Sequence, residues 1–241
     1  MNERRRWAGL RSLTVPPRLR LRRPSWRGRL RLLAVGCVAT GLSLILTVAY
    51  RIWDPGAAHV QQGLATQLNH QWHQHSAATH TVQPIRLVTG KPFAFLRIPA
   101  LGAKWRFAVV EGSDLAQLSL GPGHVPGTQL PGEPGNFAIA AHDITAGNPF
   151  LHLANVRPGA SIYVTTVNGT YKYRVLSESV VRYTDVGVLD PVPGHPGQRA
   201  TGQFITLISC TPVTLAFTPW RVVVAGTLVG SPAPRNQRRP G

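Results

Sequence analysis

The chain contains little cysteine and little acid. Of its 241 residues only two are cysteine, Cys37 and Cys210, and 9 are Asp or Glu against 26 Lys or Arg. His70 and His73 could share one helical face and bind a metal, but no Cys, Asp or Glu stands near them in the sequence. We therefore expect no metal and no other cofactor, and we interpret these histidines as part of a solvated segment.

The basic residues are unevenly distributed. Eleven Arg lie between residues 4 and 31, where Glu3 is the nearby acid, and residues 32–50 carry no charge at all. An uncharged run of about 19 residues is long enough to cross a membrane as a helix, and an Arg excess before it keeps the N-terminus in the cytoplasm. We predict a cytoplasmic arm (1–31), a transmembrane helix (32–50) and an exported remainder. A cleaved signal peptide is the alternative; a nucleic-acid binder is the weakest interpretation, because the arm adjoins a membrane span.

The composition beyond the span predicts four further regions. Residues 51–90 are polar and are interpreted as an extracellular linker, partly helical between 57 and 72. Residues 91–230 hold strand-like segments separated by Pro/Gly loops, and residues 231–241 are expected to be disordered. The predicted strands are 93–99, 104–110, 136–142, 161–167, 170–181, 204–208 and 221–229, with a hairpin turn at Asn168-Gly169 and short helices at 115–118 and 150–153. Mostly strands with no βαβ alternation indicate a mainly β domain, a closed or nearly closed barrel.

Three side chains at strand ends are candidates for chemistry. Cys210 follows strand 204–208, Arg221 opens the next strand, and His142 ends strand 136–142. With Cys37 in the membrane, Cys210 has no disulfide partner outside it, which favours a reactive thiol over an inert buried one. His124, His152 and His195 lie in loops or on a short helix and are poorer partners for the thiol. A surface role for His142 and a structural ion pair for Arg221 remain open alternatives.

Several stretches of the folded region resemble a known family. Thr206-Leu207-Ile208-Ser209-Cys210, followed by Arg221, resembles the sortase signature Thr-Leu-x-Thr-Cys with an Arg opening the last strand; Ser209 replaces the second Thr. Residues 130–142 resemble the approach to the sortase catalytic His, and residues 148–153 and 185–192 resemble further family segments. The resemblance spans residues 93–229 and is greatest to class E sortases, with class D close.

The resemblance implies a fold and an activity. Sortases are membrane-anchored cysteine transpeptidases with an eight-stranded β-barrel. By analogy, Cys210 would form a thioester with a C-terminal Leu-Pro/Ala-x-Thr-Gly sorting signal cut between Thr and Gly, His142 would exchange protons, and Arg221 would hold the oxyanion. The acceptor would be an amine of a peptidoglycan precursor or of a pilin.

Two departures from the family pattern and two alternatives remain. Asp143 follows His142 where many sortases carry Arg, and the connection from Cys210 to Arg221 is long. An L,D-transpeptidase also uses Cys and His, but its thiol follows a Ser-x-Gly-like approach, whereas Ile208-Ser209 precedes Cys210. A catalytically silent exported barrel with a cell-envelope interaction is the alternative outside enzymology.

Overall fold

The computed structural model describes residues 26–53, 55–76, 84–212 and 218–232. The chain divides into two units, Met1–Leu46 and Thr47–Gly241. Most of the predicted cytoplasmic arm (1–25) and of the predicted disordered tail (233–241) lies outside the described residues.

The first unit holds most of an apolar helix, whose last residues belong to the second unit. Helix α1 spans Trp26–Trp53, and its segment Trp26–Tyr50 has a mean hydropathy of 2.3 in its most apolar window. A helix of this length covers more than the thickness of a hydrocarbon core, since each residue adds about 1.5 Å. The apolar helix expected at residues 32–50 is thus present and long enough to cross a membrane, and it begins several residues before residue 32.

Helix α2, Pro55–Ser76, lies in the second unit and in the stretch interpreted as a linker. The helical part predicted between 57 and 72 is confirmed and extends further at both ends. Leu68 on this helix is buried against Phe95 and Ala108 of the following domain. The segment before the folded domain is therefore packed against it rather than free of it.

Eight strands form a closed barrel, as the resemblance implied. The strands are β1 (Pro92–Arg97), β2 (Arg106–Glu111), β3 (Gly123–His124), β4 (Gly135–Ala140), β5 (Ser161–Thr166), β6 (Gly169–Arg182), β7 (Gln203–Thr211) and β8 (Trp220–Gly230). Their order around the barrel is β1-β2-β3-β4-β7-β8-β6-β5, and β5 pairs with β1. A short helix, α3 (Leu115–Leu118), lies between β2 and β3.

Apolar side chains fill the barrel interior. The β2–β3 and β4–β7 pairs are parallel, and the other neighbouring pairs are antiparallel. Both faces of β4 and of much of β7 are covered, which explains why these strands are near-continuous apolar runs in the sequence. The fully buried side chains include Leu96, Ile98, Phe137, Ile139, Ile162, Tyr173, Ile205 and Leu207.

Two strand boundaries around the candidate residues differ from the sequence predictions. Strand β7 runs on to Thr211, because Ser209 and Cys210 still pair with β8. It ends there since Pro212 has no N–H to donate. Strand β4 ends at Ala140, two residues before His142.

Three other local predictions were also wrong. The Gly/Pro-rich stretch predicted as loop contains β3, which pairs with β2 and β4. The hairpin turn is Val167-Asn168, with Thr166 paired to Gly169, one residue earlier than predicted. The helical turn expected at 150–153 is a 3₁₀ turn at Leu153–Asn155.

Candidate active site

Strands β4, β7 and β8 lie side by side and carry the three candidate residues. In the parallel β4–β7 pair, Ala140 lies opposite Ile208, and the Ala141 N–H donates to the Ile208 carbonyl at 3.1 Å. His142 comes two residues after Ala140, and Cys210 two residues after Ile208. On the other side of β7, Cys210 lies opposite Arg221. Since neighbouring strands are about 4.8 Å apart, the backbones of Cys210 and Arg221 are adjacent, and His142 follows directly on the last paired residues of β4.

A buried hydroxyl ties β4 to β7 just before the candidates. The Ser209 Oγ donates to the Ala141 carbonyl at 3.0 Å, and Ser209 is 2% exposed. Ser209 immediately precedes Cys210, and Ala141 immediately precedes His142. This hydrogen bond therefore fixes the separation of the two strands at the point where the thiol and the imidazole follow.

A second buried polar link lies deeper between the same strands. The Thr206 Oγ1 donates to Asn136 Oδ1 at 2.8 Å, and both residues are fully buried. The Asn136 side-chain amide donates to the Val188 carbonyl at 3.0 Å. Because a buried polar group is costly without a partner, these bonds lock the segment before β7 onto the sheet.

The Arg221 guanidinium is held by the chain just before β8. Its Nη1 donates to the carbonyls of Thr218 and Trp220 at 2.7 and 2.8 Å. The guanidinium carbon also lies 5.9 Å from the centre of the Tyr183 ring. The side chain is thus anchored through one nitrogen, while a guanidinium carries five N–H donors in all.

The thiol and the imidazole both lie half-buried, and burial favours their neutral forms. Burial raises the pKa of Cys210, the Arg221 charge opposes that rise, and the Asp143 charge adds to it. Burial lowers the pKa of His142, and the Asp143 charge opposes that fall. At neutral pH the dominant pair is consequently thiol and neutral imidazole.

Asp143 is the unexpected acid of this region. It is 4% exposed, and its Oδ1 accepts the Ile144 N–H at 2.9 Å. Its Oδ2 is buried without a hydrogen-bond partner among the described residues. The sequence marked Asp143 only as a departure from the family pattern; its burial and its electrostatic contact with both Cys210 and His142 appear only in the fold.

The other histidines do not join these residues. His124 was expected in a flexible loop but lies on β3, is 1% exposed, and has its Nδ1 2.6 Å from Glu111 Oε2. Its Nε2 lies 3.0 Å from Thr128 Oγ1. His152 and His195 are exposed. Within the described ranges no three His, Cys, Asp or Glu side chains are grouped as a metal site would require.

The sequence missed the residues that support the candidates. Asn136 and Thr206 were interpreted as strand residues, and Ser209 as a residue just past a strand that replaces a Thr of the family signature. A polar side chain inside an apolar run signals a buried hydrogen bond. That signal indicates that each side chain needs a hydrogen-bond partner, but only the pairing of β4 with β7 shows which residue the partner is.

Comparison with known proteins places this fold in a family. The model of the sortase domain matches residues 96–229. Sortase SrtE1 of Streptomyces coelicolor is 33% identical over 214 residues, 84% of this chain, and the match spans 58% of SrtE1. Sortase SrtE2 of the same organism is 30% identical over 84% of this chain and 83% of its own length.

Solved structures agree with the sequence relatives. Sortase E from Streptomyces avermitilis is 35% identical and superposes with a TM-score of 0.54 over 64% of this chain and 97% of that chain. Sortase E1 from Streptomyces coelicolor, solved with a tripeptide in its active site, is 31% identical, with a TM-score of 0.54 over 64% and 98% of the two chains.

The chain belongs to the sortase family, whose members are cysteine transpeptidases. Within that family, the two relatives and two structures described above are sortases E, which supports class E.

Proposed function

We propose that this protein cleaves a Leu-Pro/Ala-x-Thr-Gly-like sorting signal between Thr and Gly and transfers the new acyl end to an amine. Cys210 is the nucleophile, His142 the proton carrier and Arg221 the oxyanion donor. The observation that carries the proposal is the register of three adjacent strands: Cys210 on β7 lies opposite Arg221 on β8, and the β4–β7 pairing ends at Ala140 and Ile208, each two residues before His142 and Cys210.

These three side chains account for every bond and proton transfer in the reaction. The Cys210 thiolate attacks the Thr carbonyl carbon, and Arg221 donates hydrogen bonds to the oxygen that becomes negative. The Thr–Gly C–N bond then breaks, and His142 as imidazolium gives its proton to the leaving amine. The acceptor amine attacks the thioester, loses a proton to His142, and releases the Cys210 thiolate.

Two substrates follow from this scheme. The first is a protein with a C-terminal sorting signal, and the second is an amine on a peptidoglycan precursor or a pilin subunit. Both are found at the outer side of a membrane, where a catalytic domain tethered by α1 would meet them.

The test uses the full-length chain in detergent micelles. It is incubated with peptides that carry Leu-Pro-x-Thr-Gly or Leu-Ala-x-Thr-Gly and with a primary amine, and products are identified by mass. We expect cleavage at Thr–Gly and a new amide to the added amine. The control is a peptide with Thr and Gly exchanged, which should stay intact; cleavage of both peptides alike, or of neither, would refute the proposal.

We further propose that α1 crosses the membrane with the Arg-rich residues 1–31 in the cytoplasm and residues 91–230 outside as the catalytic domain. The Arg excess before α1 supports this orientation. A membrane-impermeant maleimide added to intact cells should label Cys210. Labelling only after the cells are opened would reverse the orientation.

Removing the Asp143 charge should shift the pH dependence. The carboxylate raises the pKa of both Cys210 and His142, so Asp143→Asn should lower both. The catalytic pair is thiolate with imidazolium, so kcat/KM is bell-shaped with pH. The acid limb reports the lower macroscopic pKa of the coupled Cys210–His142 pair, and the alkaline limb reports the higher one. Both limbs are expected to move to lower pH, measured on a sorting-signal peptide.

The matched control is Asp114→Asn, because Asp114 is exposed and far along the chain from these groups. Its profile should coincide with wild type. An unchanged profile for Asp143→Asn would show that the buried carboxylate carries no charge or does not act on the pair.

A further inference from the structure

Helix α2 is docked on the outside of the barrel by a continuous apolar stripe. Leu68 is 1% exposed and packs with Phe95 and Ala108. The Trp72 ring meets the Phe95 ring edge-on at 5.5 Å. Since positions four residues apart lie on one helical face, Leu68 and Trp72 lie on the same face as Ala57 and, between them, the polar Gln61.

Gln61 fixes where the helix sits on β2. The Ala108 N–H donates to Gln61 Oε1 at 2.8 Å, and Gln61 Nε2 donates to the Leu120 carbonyl at 2.5 Å. Strand β3 is only two residues long and does not reach Ala108, so the Gln61 amide takes the place of a strand partner there. A Cβ on Gly121 would clash with the Gln61 side-chain amide and displace it, and the φ of 140° at Gly121 also favours glycine.

The loop that follows His142 has an unusual backbone. Ala146, Gly147 and Asn148 all have positive φ, at 55°, 81° and 55°. Alanine is disfavoured in this region, because its Cβ approaches the following carbonyl, so surrounding contacts must hold it there. The loop closes on the candidate site itself, since the Phe150 N–H donates to the His142 carbonyl at 3.0 Å.

The first turn of α2 supplies one of these contacts. A Cβ on Gly147 would lie 3.3 Å from the Ala57 Cβ and 3.7 Å from the Phe107 ring, so helix and strand cover the middle of the left-handed segment. Ala57 is 6% exposed, whereas the next residue, Ala58, is exposed.

We propose that the first turn of α2 is a positioning element of the active site: Ala57, seated by Gln61, holds the 143–149 loop and through it the His142 backbone. The proposal rests on His142 as the proton carrier. It makes α2 part of the catalytic domain, so that a fragment starting after residue 83 would keep the barrel and lose turnover.

The test compares Ala57→Trp with Ala58→Trp in the full-length chain in detergent. The indole at 57 has no space beside Gly147 and should push the loop and His142 out of place. Displacements of about 1 Å in such sites cost up to about a hundredfold in rate. We expect kcat to fall about tenfold or more with KM within about twofold, and Ala58→Trp to match wild type. Ala57→Gly, which removes only the methyl contact, should lower kcat less and in the same direction.

A second readout asks whether the effect passes through His142. The rate of Cys210 alkylation by iodoacetamide is measured by peptide mass, with and without His142→Ala. Ala57→Trp should slow alkylation when His142 is present and leave the rate unchanged in the His142→Ala background, because the pair then acts as one unit. Circular dichroism and the unfolding temperature show whether each variant is folded. If Ala57→Trp is not folded, the kcat of Ala57→Gly tests the role of α2 instead.

The outcomes separate the two proposals. Wild-type turnover for His142→Ala would remove the proposed role of His142. Loss of turnover in His142→Ala together with wild-type kcat in folded Ala57→Trp and Ala57→Gly would overturn the role of α2. Equal slowing of alkylation by Ala57→Trp in both backgrounds would overturn it as well, because the effect would then bypass His142.

Discussion

Replacing Cys210 with alanine is expected to abolish both cleavage of a sorting-signal peptide and transfer to an amine. Cys210 is the cysteine on β7, half-buried and opposite Arg221, and the chain's other cysteine, Cys37, lies in α1. Loss of the nucleophile removes the covalent route altogether, which in comparable enzymes lowers the rate by on the order of 10⁴ or more. Turnover is measured by mass over long incubation.

The matched control is Cys37→Ala, which removes the other thiol and should keep wild-type turnover. Cys210→Ser preserves size and polarity, but a hydroxyl is ionised far less than a thiol at neutral pH, so it should also be inactive. The wild-type protein should form an acyl adduct that hydroxylamine releases. Retained transfer in Cys210→Ala would be incompatible with a thioester at this residue.

The raised pKa of Cys210 predicts a low turnover rate for the wild-type protein. Burial holds most of the thiol protonated at neutral pH, so the reactive ion pair with His142 is a minor species. Slow turnover by the wild-type protein is therefore expected. A low absolute rate argues against the thioester route only if the Cys210→Ala variant matches it.

The barrel and the family could be predicted because their signals are local. An uncharged run marks α1, alternating or continuous apolar segments mark the strands, and the residues from Thr206 to Cys210 carry the family pattern. Each of these depends on neighbours in the sequence. The sequence also singled out Cys210, His142 and Arg221 as candidates, because strand ends are where side chains of different strands can converge; their catalytic roles stay predictions.

The missed features depend on contacts between distant segments. Strand β3 is two residues long in a Gly/Pro-rich stretch, and only its pairing with β2 and β4 makes it a strand. The extension of β7 to Thr211 depends on β8 opposite it. In both places backbone pairing with another strand overrides weak local propensity.

The same reason explains α2 and Asp143. Polar residues dominate α2, and its narrow apolar stripe becomes significant only when β1 and β2 are placed beneath it. An Asp after a strand suggests an exposed loop residue, since carboxylates are seldom fully buried. Its burial at 4% exposure follows from the closed loop between His142 and Phe150, which the sequence did not predict.

Replacing Arg221 with lysine is expected to lower kcat/KM by on the order of 10²–10³ while the fold survives. One guanidinium nitrogen of Arg221 already holds the carbonyls of Thr218 and Trp220. Among the described residues no hydrogen bond holds the remaining donors, and the rigid fork of a guanidinium can aim them at a substrate oxyanion. A lysine ammonium is a single point donor, so it can hold the carbonyls or the oxyanion but cannot reach both in one geometry.

The matched control is Arg182→Lys, because Arg182 ends β6 beside the same strand and its guanidinium lies 5.1 Å from the centre of the Trp220 ring. That change also exchanges a guanidinium for an ammonium, but away from Cys210, and it should leave kcat/KM within about twofold. Circular dichroism checks folding in both variants. Arg221 is also the one basic residue between Cys210 and Gly230, so no neighbour on these strands can replace it. Near-wild-type turnover for Arg221→Lys would mean that charge alone suffices, or that the oxyanion forms elsewhere.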